Sequence, residues 1–238
     1  MPQISIVVPV FNEEGAAVPL AEEIAAAFAG RDHEIVFVDD ASRDATRQVL
    51  AALKAEIPQL RVLAHGANAG QSRAIRTGIL GARGEIIVTL DGDGQNDPAD
   101  GPGLVDALIA GGPDMAMVAG ERAKRQDSQA KKVASRVGNG VRKWLLKDNA
   151  NDTGCGLKAF RREAFLRLPY FDHIHRYLPA LMLREGYAID FRPVRHRHRQ
   201  TGRSKYTNLG RLVVSLSDLV GVVWLRRRSR LPGRIDEL

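Results

Sequence analysis

Acidic residues close three of the apolar runs in this chain. Asn12-Glu13 follows Ile4 to Val10, Asp39-Asp40 follows Glu34 to Val38, and Asp91-Gly92-Asp93 follows Ile86 to Leu90. Asp and Gly are poor strand formers, so each run turns there and leaves its carboxylates at the strand's carboxyl end. Carboxylates gathered in one turn repel one another unless a cation neutralises them, and their hard oxygens select Mg²⁺, Mn²⁺ or Ca²⁺. Taken alone, each site reads first as a solvated turn. An EF-hand loop starting at Asp91 is disfavoured, because Asn96 stands where its glycine is needed and no Glu follows at the closing position.

The elements that must position these groups alternate. Ile4 to Val10 reads as a first strand and Glu13 to Ala29 as an amphipathic helix. Glu34 to Val38 reads as a second strand, and Ser42 as the N-cap of a helix from Asp44 to Glu56. Leu60 to Ala64 is a third strand, followed by a helix opened by Asn68-Ala69-Gly70 and reaching Ala82. Ile86 to Leu90 is a fourth strand; Pro98 starts a helix toward Ile109, and Met115 to Ala119 is a fifth strand. This order predicts an α/β fold with a mostly parallel sheet and helices on both faces. Beyond Arg122 the expectations are a basic helix over 129–146, a strand at 156–160, a helix at 174–184, a strand at 187–198 and a last apolar-rich helix at 208–225. In such a sheet all three acidic ends fall on one edge, where ligands bind.

Known nucleotide cradles are missing. There is no G-x-x-x-x-G-K-[ST], no G-x-G-x-x-G after the first strand, and no G-x-S-x-G elbow. A nucleotide diphosphate held through a metal fits what remains. Asp39 or Asp40 would accept from base or ribose, Asp91 and Asp93 would hold the cation, and Arg122 would face the diphosphate.

The strings Pro9-x-x-Asn12-Glu13, Val38-Asp39-Asp40-x-Ser42-x-Asp44, Asn68-x-Gly70 and Asp91-Gly92-Asp93-Gly94-Gln95-x-Asp97-Pro98 carry a resemblance. So do Gly120-Glu121-Arg122, the run from Asp152 to Arg161, His175-Arg176-Tyr177-Leu178-Pro179, and His196-Arg197-x-Arg199-x-x-Gly202-x-Ser204-Lys205-Tyr206. Together they resemble the family 2 glycosyltransferases of GT-A fold, in their dolichol- or polyprenyl-phosphate mannosyltransferase branch. The resemblance covers about residues 4 to 206, which makes 1–206 the expected catalytic domain and 207–238 a helix and basic tail. It implies an inverting transfer of a hexose from a GDP- or UDP-linked donor to a polyprenyl or dolichyl phosphate, with Mg²⁺ or Mn²⁺ as cofactor. Asp39 and Asp40 would contact the nucleotide, with Pro9, Asn12, Glu13, Ser42 and Asn68 around them. Asp91, Asp93 and Gln95 would surround the metal and diphosphate. Arg122 and Arg199 would face phosphates, and Ser204 and Lys205 would belong to a loop closing over the donor. An anionic acceptor needs no strong base; a sugar hydroxyl would, and Asp93 or Asp152 would supply it. His175 and Arg176 remain open between acceptor-phosphate contacts and a packing pair. His196 and His198 are poor metal candidates without a third ligand; Cys155 reads as a packed residue, and Trp144 and Trp224 as packing or interface aromatics.

Composition bounds these readings. The 238 residues suffice for one sizeable core, and the single cysteine excludes a disulfide framework. Met1-Pro2-Gln3-Ile4 enters a strand at once, so no signal peptide is expected, and no stretch reaches membrane-spanning length. From Arg192 to Arg234 there are twelve Lys or Arg and one acid, Asp218, a local +11 that leaves −4 for the rest of a chain of net charge +7. A polyanionic partner follows: substrate phosphates, anionic lipid or nucleic acid. Nucleic acid is disfavoured because only Tyr206 and Trp224 interleave with the basic residues. The apolar run Leu212 to Leu225, followed by Arg226-Arg227-Arg228, suits a helix lying on the cytoplasmic face of a membrane; an ordinary helix packed on the sheet is the alternative. Transfer onto a saccharide hydroxyl remains the second functional reading, and oligomeric state is not specified.

Overall fold

β1 (Ile4–Val10) is apolar except at Ser5, and every one of its residues is buried, as expected of a strand covered on both faces. The computed structural model describes residues 2–122, 140, 142–197 and 208–233. β2 (His33–Asp39) and β4 (Ile86–Thr89) flank β1 in parallel, and β3 (Leu60–Ala64) lies outside β2. The sheet has the order β3-β2-β1-β4-β6-β5-β7, with β5 at Met115–Arg122, β6 at Lys158–Arg161 and β7 at Ala188–Val194. The chain winds outward from β1 in one direction through β2 and β3, then returns to its other side at β4. That reversal opens a crevice at the carboxyl ends of β1 and β4.

Two details shape the crevice. Pro9 has no N–H, and its side of β1 faces β4. The last rung there is the Leu90 N–H donated to the Val7 carbonyl, and pairing ends at Val7 with Thr89. The chain after Thr89 is thereby released to turn. β6 runs antiparallel between β4 and β5, with Lys158 opposite Thr89. Its first residue therefore lies at the edge where β4 ends.

Helices cover both faces. On one, α1 (Glu14–Ala27), α2 (Thr46–Leu53) and α4 (Gly101–Ala110) pack Leu20, Ile24, Leu50, Leu104 and Leu108 over Ile4, Ile6 and Val8. On the other, α3 (Gln71–Gly81) joins helices Arg162–Leu166 and Leu178–Arg184 over Val7, Val36, Ile87 and Phe160. Helix Asn208–Arg228 reaches this second cluster through buried Val222, with Leu219, Val223 and Leu225 partly covered. No helix among the described residues is long and apolar enough to cross a membrane.

Several expected boundaries move. Ser42 is no N-cap: α2 starts at Thr46, and the Asp44 carboxylate accepts from the Thr46 N–H and hydroxyl in the preceding turn. The helix expected at 174–184 is a 3₁₀ turn, Ile174–Arg176, then a helix from Leu178 whose second residue is Pro179. The strand expected to reach residue 198 ends at Val194, and His196 instead bridges to Asn96. Of the helix expected over 129–146, only residues 140 and 142–146 lie among the described residues, and these are helical.

Candidate active site at the carboxyl edge of the sheet

The crevice is an open cavity of about 480 Å³ lined by Pro9, Glu13, Asp40, Asn68, Asp91 and Asp93 among others. β1, β2 and β4 are adjacent, so the acidic groups read from three strand ends do converge. They do not all face the cavity. Asp39 is fully buried, accepting from the Ser42 N–H and from Arg47 Nε at 2.9 Å. Asn12, at a positive φ of 52°, accepts from the Arg43 N–H and donates its own N–H to Ser42 Oγ. Asn12, Asp39 and Ser42 thus tie the end of β1 to the loop after β2. Asp40 lines the cavity while its carboxylate accepts from the Ala69 and Gly70 N–H groups and pairs with His65 Nδ1 at 2.6 Å. Asn68 Nδ2 donates to the Asp40 carbonyl, so the two residues pin the entry to α3.

Asp91 is held from two sides. Gln71 Nε2, in the first turn of α3, donates to its Oδ1 at 2.8 Å, and its own N–H donates to Asn96 Oδ1. Burial, with the charge of Asp93 added, pushes the Asp91 carboxyl up to about 6 despite Lys158 and Arg122 nearby. Gly156 lies flat against that carboxyl: a Cβ built there would stand 2.3 Å from Cγ and 2.4–2.5 Å from both oxygens. Asp93 Oδ1 accepts from the Gln95 N–H. The Gln95 side chain reaches away, donating to the Arg197 carbonyl at 3.4 Å, and is not among the described residues lining the cavity. Among the described residues no three His, Cys, Asp or Glu side chains are placed to share a metal. Two carboxylates, not three protein ligands, are what the fold brings together.

The other charged groups in the cavity are basic. Lys158, 3 % exposed, donates to the Cys155 carbonyl. His175 pairs its Nδ1 with Ser72 Oγ at 2.7 Å; burial, then Lys158 and Arg176, hold its pKa well below the usual value, so the ring is neutral at pH 7. Arg176 lines the cavity beside it. Arg122 is not offered to a ligand in the way expected. Its Nε and Nη2 bind the Asp152 oxygens at 2.5 and 2.7 Å, an interior fork-to-fork pair behind Gly154. Cys155 is buried and burial pushes its thiol up, which fits packing and not nucleophilic attack.

Three contributors carried no signal strong enough to find from the chain alone. Gln71 and Ser72 are ordinary helix-start residues until α3 points them at Asp91 and His175. Lys158 stands in the run from Asp152 to Arg161, but only the antiparallel insertion of β6 brings it next to Asp91. Arg199, Ser204, Lys205 and His198 lie outside the described residues. Part of the basic stretch is internally matched: Arg192 pairs with Asp190, Arg195 with Asp97 and Asp100, and Arg197 with Glu23 and Asp97. Trp144 and Trp224 are 76 % and 60 % exposed, so neither packs in the core.

The model of the family "Glycosyl transferase family 2" matches residues 5–168. A dodecaprenyl-phosphate galacturonate synthase of Rhizobium johnstonii is 34% identical over 239 residues, covering 97% of this chain and 69% of that protein. An undecaprenyl-phosphate 4-deoxy-4-formamido-L-arabinose transferase of Shewanella sediminis is 35% identical, covering 98% of this chain and 71% of that protein. Among solved structures, glucosyl-3-phosphoglycerate synthase of Mycobacterium tuberculosis, crystallised with Mn²⁺ and uridine diphosphate, superposes with a TM-score of 0.71 at 20% identity, over 98% of this chain and 82% of that one. A mannosyltransferase of Pyrobaculum calidifontis with GDP-mannose and Mn²⁺ gives 0.68 at 21%, over 97% and 66%. At these identities the structures speak for the fold alone.

Proposed function

The chain belongs to glycosyl transferase family 2, and from that premise we propose that it moves a hexose-type sugar from a nucleotide-sugar to a polyprenyl phosphate with inversion. One observation carries this reading beyond the family: a cavity at the switch point lined both by carboxylates, Asp91 and Asp93, and by cations, Lys158 and Arg176. The relatives' names speak of polyprenyl-phosphate acceptors, and the cations suit one.

Asp91 and Asp93 fit a hard divalent ion such as Mg²⁺ or Mn²⁺, with the donor diphosphate completing the ligand set, and Gly156 gives the Asp91 carboxylate the space that a Cβ would take. The ion would supply charge stabilisation for the departing diphosphate. The chain's own residues do the remaining work. Gln71 fixes the rotamer of Asp91, and Asp40 with Asn68 shapes the wall where the nucleotide would lie. An acceptor phosphate oxygen attacks the anomeric carbon; the carbon–oxygen bond to the donor diphosphate breaks, and the nucleoside diphosphate leaves with the electron pair. No proton need be removed. A hydroxyl acceptor would require a base, and Asp152, one of two candidates, is bound to Arg122.

The test is a thermal-shift panel of UDP, GDP and CDP, each with and without Mn²⁺. One nucleotide with Mn²⁺ at a hundred times its Kd should raise Tm by about 5–10 °C. Asp93→Ala should abolish the metal-dependent part. Equal shifts with and without Mn²⁺, or an unaltered Asp93→Ala response, would end the metal reading.

Membrane contact belongs to the same proposal. Leu216, Val220 and Trp224 recur every four residues on the exposed side of helix Asn208–Arg228, with Arg227 and Arg228 exposed nearby. Such a stripe suits the surface of an anionic bilayer on the nucleotide-rich, cytoplasmic side. Trp224→Ser should weaken co-flotation with anionic vesicles at low salt; wild-type protein left at the bottom of the gradient would refute the docking.

A further inference from the structure

We infer that Lys158 and Arg176 together hold the acceptor's phosphate, as a two-cation subsite in the cavity that also contains Asp91 and Asp93. The inference rests on the reading of the chain as a transferase to a phosphate acceptor. It assigns that phosphate to residues other than Arg122.

Lys158 is the odd group in the interior. An ammonium has three N–H donors, yet among the described residues its one hydrogen-bond partner is the Cys155 carbonyl, and no carboxylate lies within ion-pairing distance. A lysine buried this far is normally paired. It is carried there by register: β6 opens at Lys158, opposite Thr89 and two residues before Asp91 on the neighbouring strand. Its side chain lines the cavity, so the missing partners can arrive from there.

Arg176 supplies the second charge. It closes the 3₁₀ turn Ile174–Arg176, lines the same cavity, and its guanidinium makes no hydrogen bond or ion pair among the described residues. His175, between the two in its electrostatic surroundings, is fixed by Ser72 and adds no charge. Arg122, the cation best placed by sequence, is engaged with Asp152 on two of its nitrogens. Two open positive charges match a phosphate monoester, which carries roughly −1.5 to −2 at pH 7. A diphosphate neutralised by a cation at Asp91 and Asp93 matches them less well. Next to Arg176 the lining turns apolar, through Leu178, Ala74 and Ile75. A cationic pair bordered by an apolar wall recognises an amphiphilic monophosphate.

The experiment measures binding of farnesyl phosphate and of farnesol to the full chain by calorimetry. Wild type is compared with Lys158→Met, Lys158→Arg and Arg176→Gln, and the Mn²⁺-dependent nucleotide shift is recorded on the same samples. Wild type should prefer farnesyl phosphate over farnesol. Lys158→Met and Arg176→Gln should each weaken the monophosphate by roughly tenfold or more, with the nucleotide shift kept, and Lys158→Arg should retain most of the affinity. Should Lys158→Met fail to fold, Arg176→Gln alone decides. Monophosphate affinity unchanged in these variants, or a nucleotide shift lost in parallel, overturns the assignment. A wild type indifferent to the phosphate overturns the acceptor reading itself, and this subsite with it.

Discussion

At the scale of the residue, the site is built from groups held in costly states. Asp91 is the clearest. Its carboxyl is pushed up to about 6 by burial and by Asp93, above the usual carboxylate range, so the folded state favours the protonated form. A carboxyl raised in this way loses stability as pH climbs from about 4 through 6, and the full cost is present above that. Asp91→Asn keeps an oxygen for Gln71 and removes the buried charge. It should therefore stabilise the free protein by about 1–2 kcal/mol at pH 7.5, with a difference that shrinks toward pH 4, measured by urea unfolding across that range. The same variant should lose metal-dependent nucleotide binding. A stability difference that does not vary with pH would show that Asp91 is not held in this state. Such a trade between stability and function is what a binding carboxylate pair implies before its cation arrives.

At the scale of the element, close approach sets the site. Gly156 precedes β6, and its missing Cβ lets that strand's entry lie on the Asp91 carboxyl. Gly156→Ala should displace Asp91, costing about 1–3 kcal/mol and the metal-dependent shift. Gly103→Ala in α4, where a Cβ meets nothing within 4 Å, should be neutral or mildly stabilising. Equal behaviour of the two would contradict the packing account. The elements themselves were largely legible in the chain. β1 falls where its β-branched run places it, because that run is buried on both faces and bounded by turn residues. What escaped was pairing at long range. Periodicity cannot say that β6 enters antiparallel between β4 and β5, and so could not bring Lys158 to Asp91. Nor could it reveal that Arg122 finds Asp152, thirty positions away, or that Asp39 turns inward while Asp40 lines the cavity. Ser42 misled for a related reason: a good cap residue by type was taken by the Asn12 N–H, a contact across two strand ends.

At the scale of the whole molecule, charge is distributed by function more than by segment. The basic C-terminal region is not a free polycation, since Arg192, Arg195 and Arg197 are matched by acids. Exposed pairs of this kind add little stability, but they lower the field available to nucleic acid. The field that matters lies inside the cavity, where Asp91 and Asp93 share one lining with Lys158 and Arg176. The measurement that tests this most directly is transfer itself. The full chain, given the nucleotide-sugar whose diphosphate it binds and Mn²⁺, is offered farnesyl phosphate or farnesol, and the product is read by mass and by mild acid and alkali. The account predicts a sugar phosphodiester, formed only from the phosphate, labile to acid and stable to alkali. A glycoside formed equally well from farnesol would contradict it.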